Sequence, residues 1–90
     1  MKRLRISYGD ELLKNPEKRP AEGKIRAAYV NNRTGLVLGR GDIEVEIIRE
    51  NGADYITLPE EVYRELKLTD YDMDWCSVYL REDGILVELF

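Results

Sequence analysis

Four clusters of turn-forming residues, Asn31-Asn32-Arg33-Thr34-Gly35, Gly39-Arg40-Gly41-Asp42, Asn51-Gly52 and Asp83-Gly84, cut the chain into short runs that alternate like strands. Asn and Gly accept the positive backbone angles that tight turns demand, and Asn-Gly or Asp-Gly between apolar residues is a short-range hairpin signal. Ile25 to Val30 and Leu36 to Arg40 flank the first cluster, and Ser77 to Arg81 and Ile85 to Phe90 flank the last. Between them Ile43, Val45 and Ile47 alternate with Glu44 and Glu46, and Tyr55 to Leu58 follows Asn51-Gly52. Residues 2 to 8 place Leu4, Ile6 and Tyr8 on one side, the period of a half-buried strand. Pro16 and Pro20 then forbid a continuous helix, leaving one short turn over Asp10 to Asn15. The convincing helix opens at Pro59-Glu60-Glu61, with proline in the first turn and two carboxylates against the helix dipole, and is expected to reach about Leu68. Its stripe of Val62, Tyr63 and Leu66 is narrow, so it should pack on a sheet. These elements define an α+β domain, β-rich, built of hairpins with one short helix.

Ninety residues make a single domain over 1–90, and a domain this small gains from dimerisation. The sequence holds no histidine and one cysteine, Cys76, which removes most nucleophile-plus-histidine catalysis and thiolate or imidazole zinc sites. No catalytic, metal or cofactor residues are assigned. Carboxylate pairs such as Glu44/Glu46 are explained by polar alternation towards water, and Cys76 reads as a small buried hydrophobe. No apolar run approaches 18 residues and no export core follows Met1-Lys2-Arg3, so a cytoplasmic protein without a membrane span is expected. Charge is divided along the chain. Residues 1 to 40 carry ten Lys/Arg against four Asp/Glu, and residues 41 to 90 carry four against fourteen. The basic segment 1–40 could contact phosphates, which makes Arg3, Arg5, Arg26, Arg33 and Arg40 the expected nucleic-acid contacts.

The order of elements over 43–90 is more specific than any single motif: strand, Asn-Gly turn, strand ending in Leu-Pro, short helix, acidic loop, hairpin. Residues 55–68, YITLPEEVYRELKL, and 77–89, SVYLREDGILVEL, carry a likeness to a known pattern. Here the chain resembles the AbrB/MazE/SpoVT swapped-hairpin family. The resemblance implies a β-β-α-β-β module at 43–90, a homodimer whose hairpins interleave into one barrel, and DNA binding as a transcription regulator or antitoxin. Asp54-Tyr55 stands where that family usually carries Gly-Arg, and the basic segment 1–40 lies outside the likeness.

A second reading comes from the acidic run. Asp70, Asp72 and Asp74 alternate like the opening ligands of a calcium loop, but Trp75 replaces the required glycine and Arg81 the closing glutamate. The same run interleaves Tyr71 and Trp75, and large aromatics on irregular segments are enriched at interaction surfaces. Asp70, Tyr71, Asp72, Asp74 and Trp75 are therefore the contact residues of an alternative function, an acidic protein-binding module or inhibitor that docks a basic partner, even as a nucleic-acid mimic.

Overall fold

Strand alternation along this chain resolves into a closed β-barrel. In a computed structural model, which describes residues 2–65 and 74–89, β1 (Lys2–Tyr8) leads into α1 (Asp10–Lys14), a 3-10 turn (Pro16–Lys18) and then β2 (Gly23–Val30). β3 (Gly35–Leu38), β4 (Ile43–Glu50), β5 (Ala53–Leu58), α2 (Glu60–Glu65), β6 (Trp75–Arg81) and β7 (Gly84–Glu88) follow. The barrel order is β1-β5-β4-β2-β3-β7-β6, with β6 returning to β1. Every pairing is antiparallel except this last, where Arg5 to Tyr8 run parallel to Trp75 to Val78. The expected small β-rich α+β architecture is present, with two short helices rather than one. The helical stripe residue Leu66 lies outside the described residues.

The front segment is woven into the same sheet as the rest. β1 stands between β5 and β6, and β2 with β3 stands between β4 and β7, so the β4–β5 and β6–β7 hairpins never touch as neighbours. The positions flanking both hairpins are filled by strands of the same chain.

Alternation decides what is inside. Leu4 and Ile6, Ile43, Val45 and Ile47, Ile56 and Leu58, and Cys76 and Val78 face one core, while Glu44 and Arg3 face solvent. Among the described residues each helix buries one side chain fully: Leu12 from α1 and Val62 from α2. The amides of Val62 and Tyr63 both donate to the Pro59 carbonyl, so proline starts α2 as its missing N–H allows.

Closing a barrel requires strands to stagger, and on β2 and β1 a single residue marks where the strand changes partner. Ala27 pairs with Ile43 on one side and Leu38 on the other, and Arg5 pairs with Tyr55 and with Trp75. Several strand ends bared by the stagger are capped. The Gly39 amide donates to the Arg26 carbonyl (2.8 Å), that of Gly9 to Val78 (2.9 Å), and that of Leu89 to Thr34 (3.2 Å). The Arg49 amide donates to the Glu22 carboxylate (3.1 Å).

Two glycines in the β3–β4 connection separate two costs. Gly39 and Gly41 have φ of +101° and +98°, but a Cβ at Gly39 would meet nothing within 4 Å, whereas one at Gly41 would lie 2.3 Å from the Ala27 carbonyl oxygen. Gly39→Ala should therefore cost about 1–2 kcal/mol from backbone strain alone, and Gly41→Ala about 2–4 kcal/mol because strand β2 must also shift. Urea unfolding of both variants checks this, and equal losses would contradict the close approach.

Candidate functional site

Where β1 passes from β5 to β6 the ladder on its β5 side stops at Arg5, and a groove of about 740 Å³ opens over the handover, lined by Arg5, Tyr8, Leu13, Tyr55, Asp74 and Trp75 among others. Arg5, Tyr8 and Leu13 come from the basic front of the chain and Tyr55, Asp74 and Trp75 from its acidic remainder. The groove thus lies on the junction of the two charge halves. Leu13 (54% exposed) and Trp75 (59%) are the two exposed large hydrophobic side chains among the described residues, and both line it. The Arg5 amide donates to the Asp74 carbonyl (2.8 Å), and both residues line the groove, so its lining carries one residue of each charge. Neither side chain is ion-paired to a described residue.

A side-chain network builds the wall behind it. The Tyr8 hydroxyl donates to the Asp54 carboxylate (2.5 Å), and Arg49 Nε donates to the other oxygen of that carboxylate (3.2 Å). Arg49 Nη2 donates onward to the Pro20 carbonyl. The Asp54 side chain is only 10% exposed, so its charge is held by these two donors rather than by water. Arg19 spans the loop from the other side, with Nε on the Leu12 carbonyl (2.8 Å) and its guanidinium 4.7 Å from the Tyr8 ring centre. Burial, then the bond to Asp54, pushes the Tyr8 hydroxyl well above the ordinary phenol range. The proline-broken segment after α1 is thereby fastened to β1, β4 and β5 by polar contacts.

The structure does not gather the five expected nucleic-acid contacts. Arg3, on β1, pairs with Glu50 (3.3 Å) and covers the Tyr55 ring at 3.9 Å, and Arg5 lines the groove. Arg26, on β2, stands in register with Glu44 of β4. Arg33, in the β2–β3 turn, pairs with Glu65 of α2, and Arg40 pairs with Asp83 across to the β6–β7 turn (3.6 Å). Arg3 and Arg5 share β1, whereas Arg26, Arg33 and Arg40 lie on β2 and in two connections, and three of the five are ion-paired to a carboxylate. Of the alternative set, Asp74 and Trp75 lie together in the groove, whereas Asp70, Tyr71 and Asp72 fall outside the described residues. Sequence reasoning missed Leu13, Tyr8 and Tyr55. For Leu13 a signal existed: Leu12-Leu13 in a helix of barely more than one turn cannot both face the core.

Cys76 is 2% exposed, and burial pushes its thiol up to about 12. Among the described residues no group of three or more His, Cys, Asp or Glu side chains is placed to hold a metal ion, and no helix is long and apolar enough to cross a membrane. Comparison with family models, curated proteins and solved structures finds no match for the chain.

The raised Cys76 thiol and Tyr8 hydroxyl carry a sign. Cys76 and Tyr8 hold their protons more tightly folded than unfolded, so their contribution is complete below the unfolded values of 9.0 and 10.0 and is lost as pH rises past them. Stability should be flat through pH 8 and fall above pH 9, and Tyr8→Phe should shrink the part of the fall above pH 10. Native Cys76 should react with a disulfide reagent at pH 8 no faster than the protein opens. Rapid labelling of folded protein, or an unaltered alkaline slope in Tyr8→Phe, would contradict the burial of these groups.

Proposed function

We propose that this protein is a non-catalytic protein-binding module whose contact surface is the groove formed by α1, β1, β5 and β6. The observation that carries the reading is the coincidence of Leu13 and Trp75, the two exposed large hydrophobic side chains among the described residues, in one groove with Arg5 and Asp74, neither of which is ion-paired to a described residue. Exposed aromatics flanked by charges are what interfaces use as anchors, since a buried indole contributes area at small entropic cost while rim charges select the partner. The partner surface this favours offers a cation to Asp74, a carboxylate to Arg5 and apolar area to Leu13 and Trp75. That retains the basic contact of the acidic-module reading and adds an acidic one.

DNA regulation has less support. Phosphate binding works by neutralising several charges along one face, and here Arg3, Arg33 and Arg40 are already ion-paired to Glu50, Glu65 and Asp83. A swapped-hairpin dimer of the AbrB type would have to displace β1 and the β2–β3 pair from their places beside the two hairpins.

Affinity capture followed by mass spectrometry tests the reading with three variants. Leu13→Ser and Trp75→Ala should deplete specific partners at least about tenfold, while Arg26→Ala, on β2, should retain them. An identical set captured by all variants would overturn the groove as the contact surface. A random DNA duplex that binds with a steep salt dependence, lost on replacing Arg3 and Arg26, would transfer the function to nucleic acid.

A further inference from the structure

We infer that the occupant of the groove is a second copy of this chain, related by a twofold axis. The inference rests on the reading of the groove as a protein contact surface and names its partner. A twofold interface is self-complementary: where residue i meets residue j of the partner, j meets the partner's i. The groove has the composition that such symmetry requires. Arg5 and Asp74 are set side by side by the bond from one main chain to the other, and neither has an ion pair with a described residue. A twofold axis passing beside them faces Arg5 with the partner's Asp74 and Asp74 with the partner's Arg5, satisfying four charges with one contact made twice. Leu13 on α1 and Trp75 on β6 are the apolar counterparts and cover each other in the same operation.

Charge complementarity selects this occupant over others. A purely basic partner meets the Arg5 guanidinium, and a purely acidic one meets the Asp74 carboxylate. A surface carrying both signs beside apolar area satisfies the groove, and the chain presents such a surface itself. The same division holds on the larger scale, because the residues lining the groove come partly from the basic front and partly from the acidic remainder, so the twofold juxtaposes unlike halves. A ninety-residue barrel also sits at the size where burying an exposed tryptophan against a copy adds a useful share of stability. The dimer implied by the family resemblance is thereby placed on the outside of an intact barrel instead of being produced by exchanging hairpins.

Sedimentation equilibrium over a wide concentration range, on wild type and charge variants, decides the matter. Wild type should approach twice 10.5 kDa. Arg5→Asp sets two carboxylates against each other twice and Asp74→Arg sets two guanidinium groups against each other twice, so each should weaken self-association at least about tenfold. Mixing the two variants in equal amounts should restore the dimer, because every contact in the mixed pair joins Asp to Arg. Restoration on mixing also shows that both variants are folded. A wild type that stays at 10.5 kDa overturns the inference, as does a dimer indifferent to both substitutions. A monomer that still loses captured partners on Trp75→Ala removes the inference and leaves the groove reading standing. Variants that alter neither dimerisation nor capture remove both.

Discussion

Parallel pairing between Arg5–Tyr8 of β1 and Trp75–Val78 of β6 joins the first strand of the chain to the second last and turns an open sheet into a barrel. Without it, β1 and β6 would each present an edge with unpaired amides and carbonyls, a template for pairing with other chains. The other strand pairs are antiparallel, and the β2–β3, β4–β5 and β6–β7 hairpins connect residues close in sequence. The β1–β6 seam is the opposite case. It is non-local, and parallel pairing is somewhat weaker per residue, so loop closure must be met before the seam returns anything. Its stability is borrowed from the side chains on its two strands, since Leu4, Ile6, Cys76 and Val78 belong to the one buried core.

Shutting the seam also creates the groove. The stagger that closure demands carries β1 away from β5 beyond Arg5, and the space left is bridged by side chains, with the Tyr8 hydroxyl on Asp54 and Arg49 reaching from Asp54 to Pro20. The core seats Leu12 and so turns the adjacent Leu13 outward beside Trp75. Architecture and surface are thus coupled. The same handover residue, Arg5, belongs to two ladders through its main chain and supplies a charge to the contact surface through its side chain.

Local features of this fold were legible in the sequence and long-range ones were not. The turns at Asn31–Gly35, Asn51-Gly52 and Asp83-Gly84, the inward Ile43, Val45 and Ile47, and the burial of Cys76 followed from residue type and period, because these are decided by neighbours a few positions away. Strand limits moved by a residue or two, as at β2, which begins at Gly23 rather than Ile25, and β6, which begins at Trp75 rather than Ser77. Which strand lies beside which carries no local signature, and reading 1–40 and 43–90 as separate segments concealed that β1, β2 and β3 complete the barrel. Of the groove, Asp74 and Trp75 were expected from composition, but Tyr8, Leu13 and Tyr55 are brought to them only by closure. The network through Asp54 was unreadable for the same reason: Tyr8, Pro20, Glu22, Arg49 and Asp54 are scattered in sequence and meet only in three dimensions.

The measurement that tests this account most directly is native-state hydrogen exchange at the amides of Arg5 and Gly9, which donate to Asp74 and Val78 and so form the β1–β6 seam. Both should exchange only through global unfolding, with the same opening free energy as core amides of β4 and β5 and the same response to denaturant. Fast exchange at Arg5 and Gly9 while the hairpin amides stay protected would mean that the barrel stands open at β1, and would contradict the closure on which the core, the groove and its partner all depend.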